Sequence, residues 1–185
     1  MRTSVCREFL LYLDRNGELD VGESPKAVVK WLKQSNLPFD LKHLLHFDWP
    51  QKTAEILPWL RLSAAKEIPA LEARNKLLRH GFLQVGSSVG GDPLVIRWDL
   101  EPFEVGFLTH EEFWGQDVEP QKVYARIARS LESLLYRVVE DRYVPIDYYA
   151  AKDINAFLAE EARDASGKLQ RRSGSRTSAR GDKAK

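Results

Sequence analysis

Apolar residues at helical spacing dominate the first third of the chain. Between Ser24 and Asn36 they recur at i, i+3 and i+4, which predicts a helix with Ser24 as its N-cap and Pro25 at its first position. The stretch 39–47, with the sequence FDLKHLLHF, predicts a second short helix whose leucines face inward. Each of these two helices therefore presents one apolar face.

The next segment carries weaker signals. Residues 49–63 are interrupted by Pro50 and Pro58, and they predict irregular chain with one short strand. A third helix is predicted to begin at Pro69, because proline suits the first turn, and to end at Gly81, because glycine suits a helix stop.

After Gly81 the period of the pattern changes to two. Three short apolar or alternating runs follow, bounded by glycine, proline and aspartate: FLQVG at 82–86, PLVIRW at 93–98 and FEVGFLT at 103–109. The connections between them are too short for a crossover helix. The runs therefore predict an antiparallel meander over about residues 81–109.

Helical spacing returns after Pro120. An apolar stripe from Val123 to Val138 predicts one helix of about 18 residues, and Ile154 and Phe157 lie on one side of a predicted last helix. Helices before and after a meander indicate an α+β fold class, with a single twisted, mainly antiparallel sheet and helices packed on it.

The charge is unevenly distributed along the 185 residues. The formal net charge is +1, but residues 165–185 hold seven of the 28 basic side chains and one of the 27 acidic ones. The first 164 residues therefore carry 21 basic and 26 acidic side chains, a net charge of −5. Residues 165–185 are rich in Ser, Gly and Arg with a single leucine, and they predict a disordered basic tail beyond a domain at 1–164.

Most catalytic signatures do not fit this sequence. Gly90 and Gly91 are followed by aspartate, proline and a predicted strand, so they do not predict a phosphate-binding loop. His43 and His46 share a helix face, but no third metal ligand stands nearby in sequence. We therefore expect no catalytic residues, no metal and no cofactor. The acidic residues of the meander leave a hydrolase with paired carboxylates as an alternative.

Cysteine content and hydropathy suggest where the protein works. Cys6 is the single cysteine, which excludes an internal disulfide and suits a reducing compartment. No apolar run approaches the roughly 20 residues that span a bilayer, and the N-terminal stretch does not have the pattern of a secretion signal. A cytoplasmic location without a membrane partner is the expectation.

Aromatic and acidic residues gather on the predicted meander. If helices cover one sheet face, alternation leaves some of the aromatic side chains on the other face, beside several carboxylates. Aromatic groups ringed by acids are typical of a protein-binding surface for a basic partner. The candidate binding residues are Asp92, Trp98, Asp99, Glu101, Glu104, Glu111 and Trp114.

Short motifs in a fixed order resemble the SUKH superfamily, which includes bacterial toxin-immunity proteins and yeast cell-wall-synthesis regulators. They are GFLQVGSSVGGDPLVIRWD at 81–99, VGFLTHEEFWG at 105–115 and IARSLESLL at 127–135, preceded by LPFDLKHLLHFDWP at 37–50. The resemblance covers roughly residues 25–150. The long region between Trp49 and Leu71 and the basic tail depart from a compact member of that family.

The resemblance implies an α+β fold with one twisted sheet, no catalysis and a protein-binding role. We therefore expect an immunity protein that neutralises a cognate polymorphic or contact-dependent toxin, with a basic toxin domain as its partner. Two alternatives stay open: a solitary regulatory or scaffold protein of the same family, and a nucleic-acid-associated protein that acts through weak contacts of the basic tail.

Overall fold

A computed structural model describes residues 3–14, 20–113 and 118–155. Six helices have defined bounds: α1 (Thr3–Asp14), α2 (Lys26–Gln34), α3 (Phe39–Phe47), α4 (Ile68–Asn75), α5 (His110–Phe113) and α6 (Leu131–Val139). Residues 148–155 are helical as well. Short 3₁₀ helices cover Ala65–Glu67, Leu78–His80 and Pro120–Val123. The predicted tail at 165–185 and the far part of the predicted last helix lie outside the described residues.

Eight strands form two antiparallel sheets. They are β1 (Val21–Gly22), β2 (Trp49–Pro50), β3 (Ala54–Leu57), β4 (Leu60–Leu62), β5 (Phe82–Ser88), β6 (Pro93–Arg97), β7 (Glu104–Leu108) and β8 (Tyr124–Ala128). β1 pairs with β2, and the other six strands form one sheet in the order β3-β4-β5-β6-β7-β8. The predicted α+β class and the antiparallel meander are therefore confirmed. No helix in the described part of the chain is long and apolar enough to span a bilayer.

The main sheet buries apolar residues on both faces. Leu94, Ile96 and Phe107 belong to a large core with leucines of α2, α3 and α6. Their strand neighbours Val95 and Leu108 belong to a second, smaller cluster with Leu77, Phe82 and Val123. Because successive strand residues point to opposite faces, the two clusters lie on the two sides of the sheet.

The prediction of one helix from Val123 to Val138 was wrong. The chain forms strand β8 first, in which Ala125 and Ile127 are buried and Arg126 points outward. Helix α6 begins only after Ser130, whose hydroxyl accepts a hydrogen bond from the Ser133 N–H at 3.1 Å. Two apolar patterns of period two and 3.6 therefore stand end to end, and together they imitate one long helical stripe.

The segment 49–63 is more ordered than predicted, because it contributes β2, β3 and β4 instead of one short strand. Trp49 is fully buried, and its indole N–H donates to the Ser63 carbonyl at 2.8 Å. Strand β4 lies so close to β5 that a Cβ on Gly86 would sit 2.0 Å from the Arg61 carbonyl oxygen. Glycine at position 86 is therefore what allows this pairing.

Two predicted helix boundaries also differ. The Ser24 hydroxyl donates to the Leu45 carbonyl at 2.6 Å, so it ties α2 to α3, and Pro25 stands at the N-cap of α2. Helix α4 ends at Asn75, because Lys76 adopts a left-handed conformation with φ 51°. Gly81, with φ 81°, instead ends the following 3₁₀ helix. The end of α4 and the end of the 3₁₀ helix are therefore each marked by a residue in a left-handed conformation, Lys76 and Gly81.

We expect Tyr124→Phe to raise the free energy of unfolding by about 1 kcal/mol, since a buried hydroxyl without a hydrogen-bond partner is costly. Among the described residues the Tyr124 hydroxyl oxygen is buried and unpartnered, and burial raises the pKa of this phenol. The unfolded chain ionises near pH 10, so wild-type stability falls as the pH rises further. Chemical denaturation at pH 7 and at pH 10.5 measures how much the free energy of unfolding falls between the two pH values. This fall should be smaller in Tyr124→Phe than in wild type. Tyr143→Phe, at a residue 63% exposed, is the control and should change neither value.

Candidate partner-binding surface

The structure divides the predicted binding residues between the two ends of the main sheet. Asp92 immediately precedes β6 and Trp98 immediately follows it, so the five residues of the strand separate them by about 20 Å. Strand β7 runs the opposite way and carries Glu104 to the Trp98 end, while Glu111 follows its far end. The six described residues of the predicted set therefore do not form one continuous surface.

Asp92 does not lie on an exposed surface, contrary to the sequence-based expectation. Its carboxylate is 4% exposed and accepts hydrogen bonds from the His110 N–H at 3.0 Å and from the Tyr148 N–H at 2.9 Å. The His110 ring nitrogen Nδ1 lies 2.7 Å from the same carboxylate. Asp92 is therefore a buried node that joins the β5–β6 connection to α5 and to the helix at 148–155.

Glu111 lies at the same end of the sheet and is exposed. It accepts a hydrogen bond of 2.7 Å from the Tyr149 hydroxyl, and this bond raises the pKa of that phenol. Trp114, the other residue predicted for this end, lies outside the described residues. Among the described residues, the Glu111 end of the sheet therefore offers exposed charge, but none of the predicted aromatic binding residues.

The opposite end holds Trp98, Asp99, Glu101 and Glu104. Two of these acids are already paired: Asp99 with Arg97 at 2.9 Å, and Glu104 with Arg126 at 2.8 Å. The hydrogen bond to Asp99 raises the pKa of the Arg97 guanidinium. Asp99 and Glu104 thus stiffen the strand ends, whereas Trp98 and Glu101 line open recesses.

The first recess is aromatic. Trp98 is half-buried and packs against the large core, and it shares a cavity of about 490 Å³ with Trp31 of α2. Among the described residues the Trp98 indole nitrogen has no hydrogen-bond acceptor, although it is buried. The other lining residues are Gln34, Ser35, Asn36, Leu78 and Arg79. Two indole rings and two side-chain amides suit an apolar side chain on a peptide backbone.

The second recess is acidic. It has a volume of about 420 Å³ and is lined by Asp40, Glu101, Pro102, Phe103, Ser130 and Glu132. Within the described chain neither Glu101 nor Glu132 forms an ion pair. Asp40 stands in the first turn of α3, next to Phe39, which is 78% exposed. Carboxylates around an apolar floor suit a lysine or arginine side chain of a partner.

The two recesses are lined by neighbouring parts of the same two connections. Only two residues of the β6–β7 turn separate Trp98 from Glu101, and only three residues of the α2–α3 connection separate Asn36 from Asp40. Since consecutive Cα atoms are 3.8 Å apart, the recesses lie within about 11 Å of each other along the turn. We call this pair of recesses the β6–β7 surface.

Sequence reasoning singled out two of the residues that line the β6–β7 surface. Trp98 and Glu101 were predicted, while Trp31, Asp40 and Glu132 were missed. The helical period placed Trp31 on the inward face of α2, and nothing local indicated that α2 ends beside the β6–β7 turn. A cavity between elements distant in sequence has no signature in either element alone.

Within residues 3–14, 20–113 and 118–155 no group of three or more potential metal ligands comes together. The Asp92–His110 pair resembles an oriented general base, but in the described structure no serine or cysteine side chain hydrogen-bonds to the His110 ring.

Comparison with known proteins adds no relative: no family model, no curated protein and no solved structure matches this chain.

Proposed function

We propose that this chain is a non-catalytic protein-binding domain that acts as a cytoplasmic immunity protein and neutralises a basic toxin domain. The observation that carries the proposal is the β6–β7 surface, where an aromatic recess and an acidic recess lie side by side on rigid strand and helix ends. The resemblance of its motifs to the SUKH superfamily favours the same function. A solitary scaffold that uses the same surface is the alternative.

The architecture suits capture of a basic protein in two ways. Trp98 and Trp31 supply large aromatic area at low conformational cost, which is typical of the residues that dominate binding energy. Glu101 and Glu132 add uncompensated negative charge beside them, and the first 164 residues are net −5. An acidic rim raises the rate at which a basic partner is captured and makes that rate depend on salt.

The test is survival during co-expression with the toxin domain encoded in the neighbouring reading frame. Wild-type protein is expected to restore growth, and the purified pair is expected to associate with a rate constant that falls at least tenfold between about 50 and 500 mM salt. Survival without any physical complex would remove the proposal. A complex with no effect on survival would favour the scaffold alternative.

A further inference from the structure

The chain itself contains a segment with the chemistry that the β6–β7 surface accepts. We propose that residues 168–172, Lys-Leu-Gln-Arg-Arg, dock in cis on this surface and compete with the partner. Leu169 enters the aromatic recess, and the flanking cations meet the acidic recess. The claim that this segment competes with a partner rests on the proposed function. The claim that the segment docks on the surface does not.

The match rests first on composition. Leu169 is the only leucine in residues 165–185, and that stretch holds no other large apolar side chain. It is flanked by Lys168, Arg171 and Arg172, so one apolar residue stands among three cations. The surface has the complementary order: indole rings of Trp31 and Trp98 in one recess, and carboxylates about three residues away in the other.

Polar groups in the aromatic recess also fit a peptide. The Trp98 indole N–H is buried within the protein, so the groups that can reach a docked backbone come from the end of α2 and the connection that follows it. Gln34 and Asn36 add amides that can pair with the backbone on either side. Arg79 is the one cation among the lining residues of the two recesses, and its Nε already donates to the His80 ring at 2.9 Å.

The described chain ends within reach of the surface. The Asn155 side chain donates to the Arg126 carbonyl at 2.7 Å and thus fixes the end of the last described helix on β8. Ser130, in the acidic recess, is four residues further along, at most about 14 Å away. Across the sheet, Arg126 is in register with Gly106 and then with Val95, which is two strand spacings or about 10 Å away. Trp98 lies three residues further along β6, so it is about 14 Å from Arg126. Twelve residues lie between Asn155 and Lys168, and these 13 steps of chain can span about 43 Å when extended.

Tethering makes even weak docking effective. With a dissociation constant of about 1 mM for the free segment and an effective concentration of a few mM, the segment occupies the surface most of the time. A partner that needs the same surface then binds about fivefold more weakly than to a chain without this segment. The partner can still displace it, so the segment adjusts affinity without blocking function.

The experiment places a nitroxide label beside the segment in the full chain. Cys6→Ser removes the single cysteine, and Ser173→Cys carries the label. The five tryptophans give five indole N–H signals, and Trp→Phe variants assign them. We expect the label to broaden the signals of Trp31 and Trp98, and to leave Trp59, in the β3–β4 turn near the other sheet edge, as the internal reference.

Two variants separate docking from chance proximity. Lys168→Glu with Arg171→Glu and Arg172→Glu should abolish the broadening, and Leu169→Ser should weaken it severalfold, while unchanged sheet amide signals show that the domain is intact. The proposal would be overturned by equal broadening in these variants, or by no broadening in the labelled chain whose segment 168–172 is unchanged. In a control mixture, one set of chains carries the nitroxide without ¹⁵N, and the other set carries ¹⁵N without the nitroxide. Broadening in that mixture would show docking between copies instead, and would overturn docking in cis.

The competition is measured separately, with the toxin domain as the probe. Leu169→Ser, which leaves the net charge unchanged, is expected to bind it more tightly than wild type, by up to about fivefold; the triple glutamate variant is not used here, because its added carboxylates would strengthen binding to a basic domain by themselves. Equal affinity overturns the competition. Because the label experiment needs no partner, failure of the proposed function leaves the docking result readable.

Discussion

Replacing Asp92 with alanine is expected to lower the free energy of unfolding by about 3–5 kcal/mol, because it leaves buried donors without an acceptor. The side chain accepts from the backbone N–H groups of His110 and Tyr148, and only 4% of it is exposed. Its loss disconnects α5 and the helix at 148–155 from the β5–β6 connection. Urea denaturation followed by far-UV circular dichroism measures the change.

Asp99→Ala is the matched control, since this carboxylate is 37% exposed and pairs only with Arg97. Its expected cost is below about 1 kcal/mol. Asp92→Asn should fall between the two, because the amide can keep one acceptor but places an N–H₂ group against a donor. An Asp92→Ala variant as stable as Asp99→Ala would show that the buried node does not hold these elements.

Trp98→Ala is expected to weaken partner binding by at least 2 kcal/mol, with the change mainly in the dissociation rate. Trp98 provides a wall of the aromatic recess. Trp98→Phe keeps an aromatic ring without the N–H, so it should recover part of the affinity. Surface plasmon resonance with the toxin domain gives both rate constants.

Trp59→Ala separates a binding role from a general effect of losing a tryptophan. Trp59 is also half-buried against the large core, and its indole nitrogen is likewise buried without an acceptor in the described structure. It lies in the β3–β4 turn, away from the β6–β7 surface. Equal losses of affinity in Trp59→Ala and Trp98→Ala would show that the recess has no specific role.

The sequence predicted a strand or helix correctly where the spacing of its own apolar residues was enough to identify it. The alternation that ends in Phe103, Val105 and Phe107 predicted β7, and the leucines of 39–47 predicted α3. It failed between Val123 and Val138, because residues 125, 127, 131, 134 and 138 satisfy a strand and a helix in succession. Only the Ser130 cap marks the boundary, and a serine is a weak signal inside an apolar run.

The candidate site was predicted in part for a related reason. Strand alternation shows which residues share a face, but not which strand end each one reaches in three dimensions. The turn sequence predicts an exposed Asp92, because aspartate in a turn usually faces solvent. The backbone N–H groups that donate to it belong to His110 and Tyr148, which are 18 and 56 residues away. Trp31 and Glu132 joined the surface through packing between distant elements.

A pair of charge-reversal variants tests most directly whether the β6–β7 surface binds the partner. Glu101→Lys with Glu132→Lys changes that surface, and Glu111→Lys with Glu112→Lys makes the same change in net charge at the opposite end of the sheet. Titration calorimetry with the toxin domain is predicted to show a loss of about 100-fold in affinity for the first variant and less than about threefold for the second. Equal losses, or a larger loss from the second variant, would contradict the account.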